Sequence, residues 1–333
     1  MKAIIVGTGT RAAIGCKALR LAQIEVVGVW AHGAARGAAF AEEYAIGNVY
    51  EKYEDVLEAD ADLLYIALVN DQHYQFAKEA ILSGLPTVVE MPFAGTYERT
   101  KELNDLAEEN DVFLFEAVTL RTSKIYNKIL TALDRIGELR LIRTNAGHIG
   151  SARELSGKHS GGALYNVIAL DAHFVIDLFG RPKYSLYMAN KERSGIDTSG
   201  ILLMDQGPFK AVCTGSLESV SEHMIEMIGT DGTLKVTFAG KVSVILQHLD
   251  GTEEVLCTDE EDLMQEMFAQ VKEKLETGDR GMARVWMNRT LQTMFVLDQS
   301  RTDAGIDFEE DNKEEKPDLM AMMLDELRAN MGK

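Results

Sequence analysis

Over the first 120 positions, apolar residues fall in short β-branched runs separated by longer stretches in which they recur at helical spacing. The runs at 3–6, 25–30, 63–67, 87–90 and 113–116 predict strands, and the stretches between them, beginning with 13–22, predict helices. Strands that alternate with helices build a parallel sheet covered on both faces. Ligands of such sheets sit beyond the strand C-terminal ends, so Gly7, Ala31, Leu68 and Glu90 are expected around one crevice.

Past Arg121 the pattern changes. A helix is predicted at 124–135, a long strand at 139–149 and, after the pair Gly161-Gly162, a helix over 164–178. Strand-like runs follow at 185–188, 200–204, 209–214, 224–228, 233–238 and 241–249, broken by turns such as Asp205-Gln206-Gly207 and Asp231-Gly232. This spacing predicts one mostly antiparallel sheet, closed by helices at 260–276 and 283–302. After an acidic stretch at 309–315, Leu319, Met320, Met323, Leu324 and Leu327 recur at helical spacing and predict a terminal helix docked on its own subunit or on a neighbour. The chain therefore divides into 1–120, 121–308 and 309–333.

The richest local signal follows the first strand. Gly7-Thr8-Gly9-Thr10-Arg11-Ala12 stands between an apolar run and a helix rich in Ala and Leu, the arrangement of a dinucleotide-binding βα turn. There Gly7 permits the tight turn, Gly9 lets the backbone approach a pyrophosphate, and Ala12 is small enough for close helix–strand packing, with the helix N–H groups facing the phosphates. The alternative is a merely structural glycine turn. An acid after the second strand would bond the ribose hydroxyls of NAD, but Ala31-His32-Gly33-Ala34-Ala35-Arg36 has none. His32 and Arg36 offer donors to a 2′-phosphate and tilt the reading toward NADP; NAD held by backbone contacts is the other reading.

Composition narrows the partners. The 333 residues suit about two domains, and a net charge of -19 disfavours nucleic acid and anionic membranes, both of which ask for a basic surface. Cys16, Cys213 and Cys257 are widely spaced with no Cys-x-x-Cys, which argues against a disulfide framework or a metal site and fits a reducing compartment. Ile4 and Val6 run into the glycine turn instead of a small-residue cleavage site, and no apolar run approaches about 18 residues. A cytoplasmic protein acting on a small-molecule substrate is expected.

Six motifs then occur in an order that resembles the Gfo/Idh/MocA family of oxidoreductases: the N-terminal turn, the run Ile66 through His73, Val89-Glu90-Met91-Pro92-Phe93, Glu116-Ala117 through Arg121, Gly161-Gly162-Ala163-Leu164, and Ile228 through Leu234. The resemblance covers roughly residues 1–308. It implies an α/β fold with an N-terminal Rossmann dinucleotide-binding domain and a C-terminal α+β domain. The latter's large, mostly antiparallel open sheet often pairs subunits into homodimers or homotetramers. It also implies hydride transfer between NAD or NADP and a sugar, polyol or carbonyl compound. Leu68, Asn70, His73, Glu90 and Met91 are placed along the cofactor, with a helix cap as the other role for His73 and an exposed carboxylate as that for Glu90.

The departures from the family pattern bear directly on chemistry. The family's lysine between Glu and Pro is Met91 here, and the Asp-x-Gly-x-His of its active-site helix falls on Asn166 through Leu170, so all three usual catalytic groups are absent. Hydride transfer at a carbinol or carbonyl needs a proton acceptor or donor, and losing it removes about 10²- to 10⁴-fold in rate. His173 is the first substitute, since Asn166, Leu170, His173 and Asp177 recur at i, i+4, i+7 and i+11 on one helical face; an inert interface histidine is the alternative. Asn166 would orient substrate, with Met91, His148, Lys158, His159 and Leu170 as further substrate contacts. Asp171 reads as structural or solvated, and Arg121 as a structural ion pair. A second functional reading is a catalytically silent relative that binds dinucleotide as a sensor or acts through a protein partner.

Overall fold

In the first strand, β1 (Lys2–Val6), Ala3 and Ile5 pack to one side and Ile4 and Val6 to the other, all without solvent exposure. That is the pattern of a strand covered on both faces. The structure, a computed structural model, describes residues 1–156, 161–238, 241–259 and 262–308. Lys158, His159, the acidic stretch and the terminal helix expected at 319–327 lie outside the described residues.

Around β1, the strands β2 (Glu25–Trp30), β3 (Asn48–Tyr50), β4 (Leu63–Ile66), β5 (Thr87–Val89) and β6 (Leu114–Glu116) form a parallel sheet in the order β3-β2-β1-β4-β5-β6. Helices α1 (Thr10–Leu21), α2 (Ala34–Glu43), α3 (Tyr53–Leu57), α4 (Asn70–Leu82) and α5 (Tyr97–Glu109) connect them. The order reverses between β1 and β4, which opens a crevice at their C-terminal ends. Edge strand β3 was not expected, because Asn48 and Val49 are exposed and form no apolar run.

Helix α1 lies close on the sheet because Gly15 carries no side chain: a Cβ there would stand 2.1 Å from Cε1 of Tyr65. The Tyr65 ring cannot easily move aside. Its hydroxyl donates to Oε1 of Glu90 at 2.5 Å, and Phe268 packs edge-on against it at 5.2 Å. Gly15→Ala is therefore expected to cost about 1–3 kcal/mol of stability, read as a lowered urea midpoint; an unchanged midpoint would show that the ring yields freely.

The second half builds an eight-stranded sheet. Its strands are β7 (Leu139–Ile149), β8 (Tyr184–Lys191), β9 (Asp197–Asp205), β10 (Lys210–Ser216), β11 (Glu218–Gly229), β12 (Gly232–Thr237), β13 (Val242–His248) and β14 (Glu253–Asp259), in the order β14-β13-β12-β11-β7-β10-β9-β8. Every pairing is antiparallel except β10 beside β7. β14 escaped prediction as a polar edge strand. Helices α6 (Lys124–Ala132) and α7 (Ala169–Phe179) cover one face, while Tyr184, Leu186, Met188, Ile201 and Val255 stay exposed on the other.

The chain then returns to its first half. Along α8 (Leu263–Thr277), Met264, Met267, Phe268 and Val271 join Ala3, Ile5, Leu19 and Phe115 in one apolar cluster, and α9 (Arg280–Asp303) lies against α5 and β6 as well as α7 and β8. The boundary expected at residue 120 thus divides the sequence without dividing the packing. Among the described residues, no helix is long and apolar enough to cross a membrane.

Candidate active site

A cleft of about 970 Å³ opens at the C-terminal ends of β1 and β4, between the two sheets. One wall is residues 7–11 with Ala31, His32, Arg36, Leu68, Asn70, Glu90 and Met91; the facing wall carries His148, Glu154, Asn166, Leu170, Ser221 and His223. Gly7, Ala31, Leu68 and Glu90 are thereby brought together. Ala12 is buried under the turn, where its small side chain allows α1 to approach the strand.

The two glycines of the turn answer to different constraints. Gly7 sits at φ +123°, its N–H donates to the Trp30 carbonyl at 2.8 Å, and a Cβ there would meet the Ala67 carbonyl oxygen at 2.3 Å. Gly9 is the extended N-cap residue just before α1, no side chain caps that helix, and nothing among the described residues comes within 4 Å of where its Cβ would be. An open backbone at the N-terminus of a 12-residue helix, with no acid in its first turn, fits a dinucleotide pyrophosphate. Farther along, Arg36 Nε donates to the His32 carbonyl at 2.9 Å, and His32 Nε2 lies 3.1 Å from Gln72 Oε1.

Two expected cofactor residues turn out differently. Glu90 lines the cleft, but as a buried group under the Tyr65 hydroxyl. His73 is fully buried beneath the floor, with Nδ1 2.9 Å from the Pro92 carbonyl oxygen and Nε2 3.2 Å from that of Leu68, so it braces two loops and does not face the cleft. Burial pushes its pKa down, although the two carbonyls and nearby acids pull the other way. Asn70 reaches across the cleft, its Nδ2 3.4 Å from Asn166 Oδ1.

The expectation for His173 fails. The helix after the glycine pair begins with a π-helical turn, Leu164–Ile168, before α7. A π turn bonds i to i+5, so it carries the register one residue on, and the regular count from Asn166 to His173 no longer holds. Asn166 and Leu170 face the cleft, but His173 is fully buried, with Nε2 3.2 Å from Oε2 of Glu116 and Nδ1 3.3 Å from Nη2 of Arg121. Arg121 in turn holds Asp177 through Nε at 2.7 Å and Nη2 at 3.0 Å. The start of the π turn is pinned by Asp197, whose Oδ2 accepts from the Leu164 N–H at 2.7 Å and the Tyr187 hydroxyl at 2.6 Å.

Two histidines with carboxylate partners do line the cleft. His148 Nε2 lies 2.9 Å from Oε1 of Glu154, whose other oxygen accepts from the Ser151 N–H at 2.8 Å. Burial opposes ionisation of Glu154, yet the Ser151 bonds and His148 hold its carboxyl below the usual range. The second is His223, which sequence reasoning missed: Nε2 lies 2.8 Å from Oδ1 of Asp171, a residue with no exposed surface. The two are separated by 52 residues, and no local motif surrounds either one.

Residues 1–118 match the model of an oxidoreductase family with an NAD-binding Rossmann fold, GFO_IDH_MocA. Those 118 residues are the Rossmann domain of a Gfo/Idh/MocA oxidoreductase. A relative named trans-1,2-dihydrobenzene-1,2-diol dehydrogenase, from Danio rerio, is 26% identical over 231 residues, 67% of this chain and 69% of that protein. One named scyllo-inositol 2-dehydrogenase (NADP(+)) IolU, from Bacillus subtilis (strain 168), is 25% identical over 300 residues, 85% of this chain and 90% of that protein. The fold is shared with KijD10, a 3-ketoreductase from Actinomadura kijaniata solved with NADP and TDP-benzene. The TM-score is 0.82 and the identity 19%, across 91% of this chain and 97% of that one. Met91 and Leu170 both face the cleft, and neither a thioether nor an aliphatic side chain carries a proton.

Proposed function

We propose that this chain is an NAD(P)-dependent oxidoreductase acting on a small sugar, polyol or related carbonyl compound held between its two sheets. The observation that carries this reading is the single cleft that joins the glycine turn to a polar wall of Asn166, His148, Glu154 and His223. When bound, the nicotinamide supplies or accepts a hydride at a substrate carbon. The chain's part is to hold the pyrophosphate on the turn at residues 7–11, to seat the substrate hydroxyls by hydrogen bonds from Asn166 and its neighbours, and to move a proton. The inositol dehydrogenase and ketoreductase named above support a polyhydroxylated substrate class. Self-association through the exposed face carrying Leu186, Met188 and Ile201 belongs to the same reading, as a homodimer or homotetramer.

The test is NADPH oxidation, followed by absorbance, against keto sugars, inososes and vicinal diketones. Turnover on at least one is expected. The reading of a silent, dinucleotide-binding relative is favoured by Met91 and Leu170 at the cleft, and it predicts tight NADPH binding in calorimetry with no turnover on the panel. Coenzyme choice is tested separately. Hydrogen bonds to a charged group contribute about 1.5–3 kcal/mol, so Arg36→Ala is expected to weaken NADPH about 10- to 150-fold in fluorescence titration while NADH changes less than about threefold. Equal losses for both coenzymes would remove Arg36 from 2′-phosphate recognition.

A further inference from the structure

We propose that His223, held by Asp171, is the group that moves the substrate proton in this cleft. The inference rests on the oxidoreductase reading above and adds the residue that the site otherwise lacks.

The imidazole is positioned from three sides. Phe238 stacks on it with ring centroids 4.0 Å apart and planes 9° from parallel, and Asp171 lies 2.8 Å from Nε2. The backbone supplies the third constraint. On β11, Ser221 pairs with Gly147 and Met224 with Asn145, so two residues, Glu222 and His223, stand opposite the single residue Ala146. That is a β-bulge, a device that re-aims side chains beside active sites. Its displaced Glu222 carbonyl accepts from Asn145 Nδ2 at 3.1 Å.

The bond to Asp171 assigns the ring's polarity. A carboxylate accepts, so Nε2 carries the proton and Nδ1 is left with its lone pair. Nδ1 has no hydrogen-bond partner among the described residues, and His223 lines the cleft beside Ser221 and close to Leu170, the neighbour of Asp171. Cys213 also lies within electrostatic reach of Asp171. Burial first, and then the Asp171 charge, push that thiol's pKa far up, so it stays protonated. His148 and Glu154 on the β7 side are engaged with each other. Burying an aspartate costs several kcal/mol unless a partner offsets it, and a buried acid that fixes a histidine tautomer at a cleft is an arrangement of general acid–base sites.

The step balances as follows. As a carbonyl carbon gains hydride, the π pair of the C=O bond moves to oxygen, which takes the proton from Nδ1 of a protonated His223 and leaves the neutral ring with Nε2–H still on Asp171. In the oxidising direction, the hydroxyl proton passes to the Nδ1 lone pair as the carbinol C–H pair leaves with the coenzyme. Asp171 touches no substrate and is a positioning residue.

The test uses the full chain with His223→Gln, His223→Ala and Asp171→Asn. Rates are compared in variants whose NADPH affinity stays within about threefold of wild type. Expected in the reducing direction are a fall in kcat of about 10²- to 10⁴-fold for His223→Gln, partial rescue of His223→Ala by added imidazole, and for Asp171→Asn a lowered kcat with a displaced alkaline limb of the pH profile at little change in KM. Independent of turnover, long-range 1H–15N spectra should show His223 as the Nε2–H tautomer in wild type and as a mixture in Asp171→Asn. Full rate in His223→Gln, or a wild-type ring protonated at Nδ1 alone, overturns the proposal and leaves the oxidoreductase reading standing. A wild type that binds NADPH yet turns over nothing on the panel overturns both.

Discussion

Replacing Arg121 by methionine is expected to lower the unfolding free energy by about 3–5 kcal/mol, because it removes one partner from a buried ionic network and leaves the others uncompensated. The guanidinium holds both oxygens of Asp177, donates to the Trp286 carbonyl at 3.1 Å and lies 3.3 Å from Nδ1 of His173. Glu116 closes the network, 3.2 Å from His173 and accepting from the Thr290 hydroxyl at 2.8 Å. Both side chains of the Arg121–Asp177 pair are nearly without solvent, so screening does little to soften the loss. Urea unfolding measures it; a change under about 1 kcal/mol would mean that the network relaxes onto water.

The same network has a pH signature. Burial works against the charged form of Glu116, but the positive charge of His173 and Arg121 and the Thr290 bond leave its carboxyl below the ordinary carboxylate value. A group whose native pKa is depressed stabilises the fold above its unfolded pKa and loses that contribution as pH falls through the native one. Wild-type stability should therefore decline on the acid side of the carboxylate range. The decline should be shallower in Arg121→Met, where one of the two cations that keep Glu116 ionised is gone.

The second large effect separates the two glycines of the turn. Gly7→Ala forces a side chain into φ +123° and against the Ala67 carbonyl, so both stability and coenzyme binding are expected to fall, the backbone strain alone costing about 1–3 kcal/mol. Gly9→Ala meets nothing in the protein. Its stability should stay within about 0.5 kcal/mol of wild type, while the added methyl occupies the space a pyrophosphate needs, at an overpacking cost of about 1–3 kcal/mol, a roughly 5- to 150-fold rise in Kd for NADPH. Melting curves and titration of the same two proteins decide the matter. If Gly9→Ala binds NADPH as wild type does, the dinucleotide does not lie on this turn.

The parallel sheet was legible because its strands are buried on both faces and so read as continuous apolar runs. Strands β3 and β14, at sheet edges with exposed positions, carried no such run. In the site, the glycine turn could be read because its constraints are local, spanning six residues. His173 was misplaced for a local reason as well: the π turn at Leu164–Ile168 alters the helical phase, and nothing in apolar periodicity marks an extra residue. His223 was out of reach of any reading by spacing. It meets Asp171 only because β11 bulges beside β7 while α7 lies across the sheet.

The return of α8 to the first sheet bears on how this protein can be recombined. A fragment ending near residue 120 would bare the surface that Met264, Met267, Phe268 and Val271 occupy. Grafting its coenzyme half onto another scaffold therefore calls for two separate stretches of chain, the first 120 residues and the segment beginning at Leu263. A chimera with a single crossover should come out insoluble.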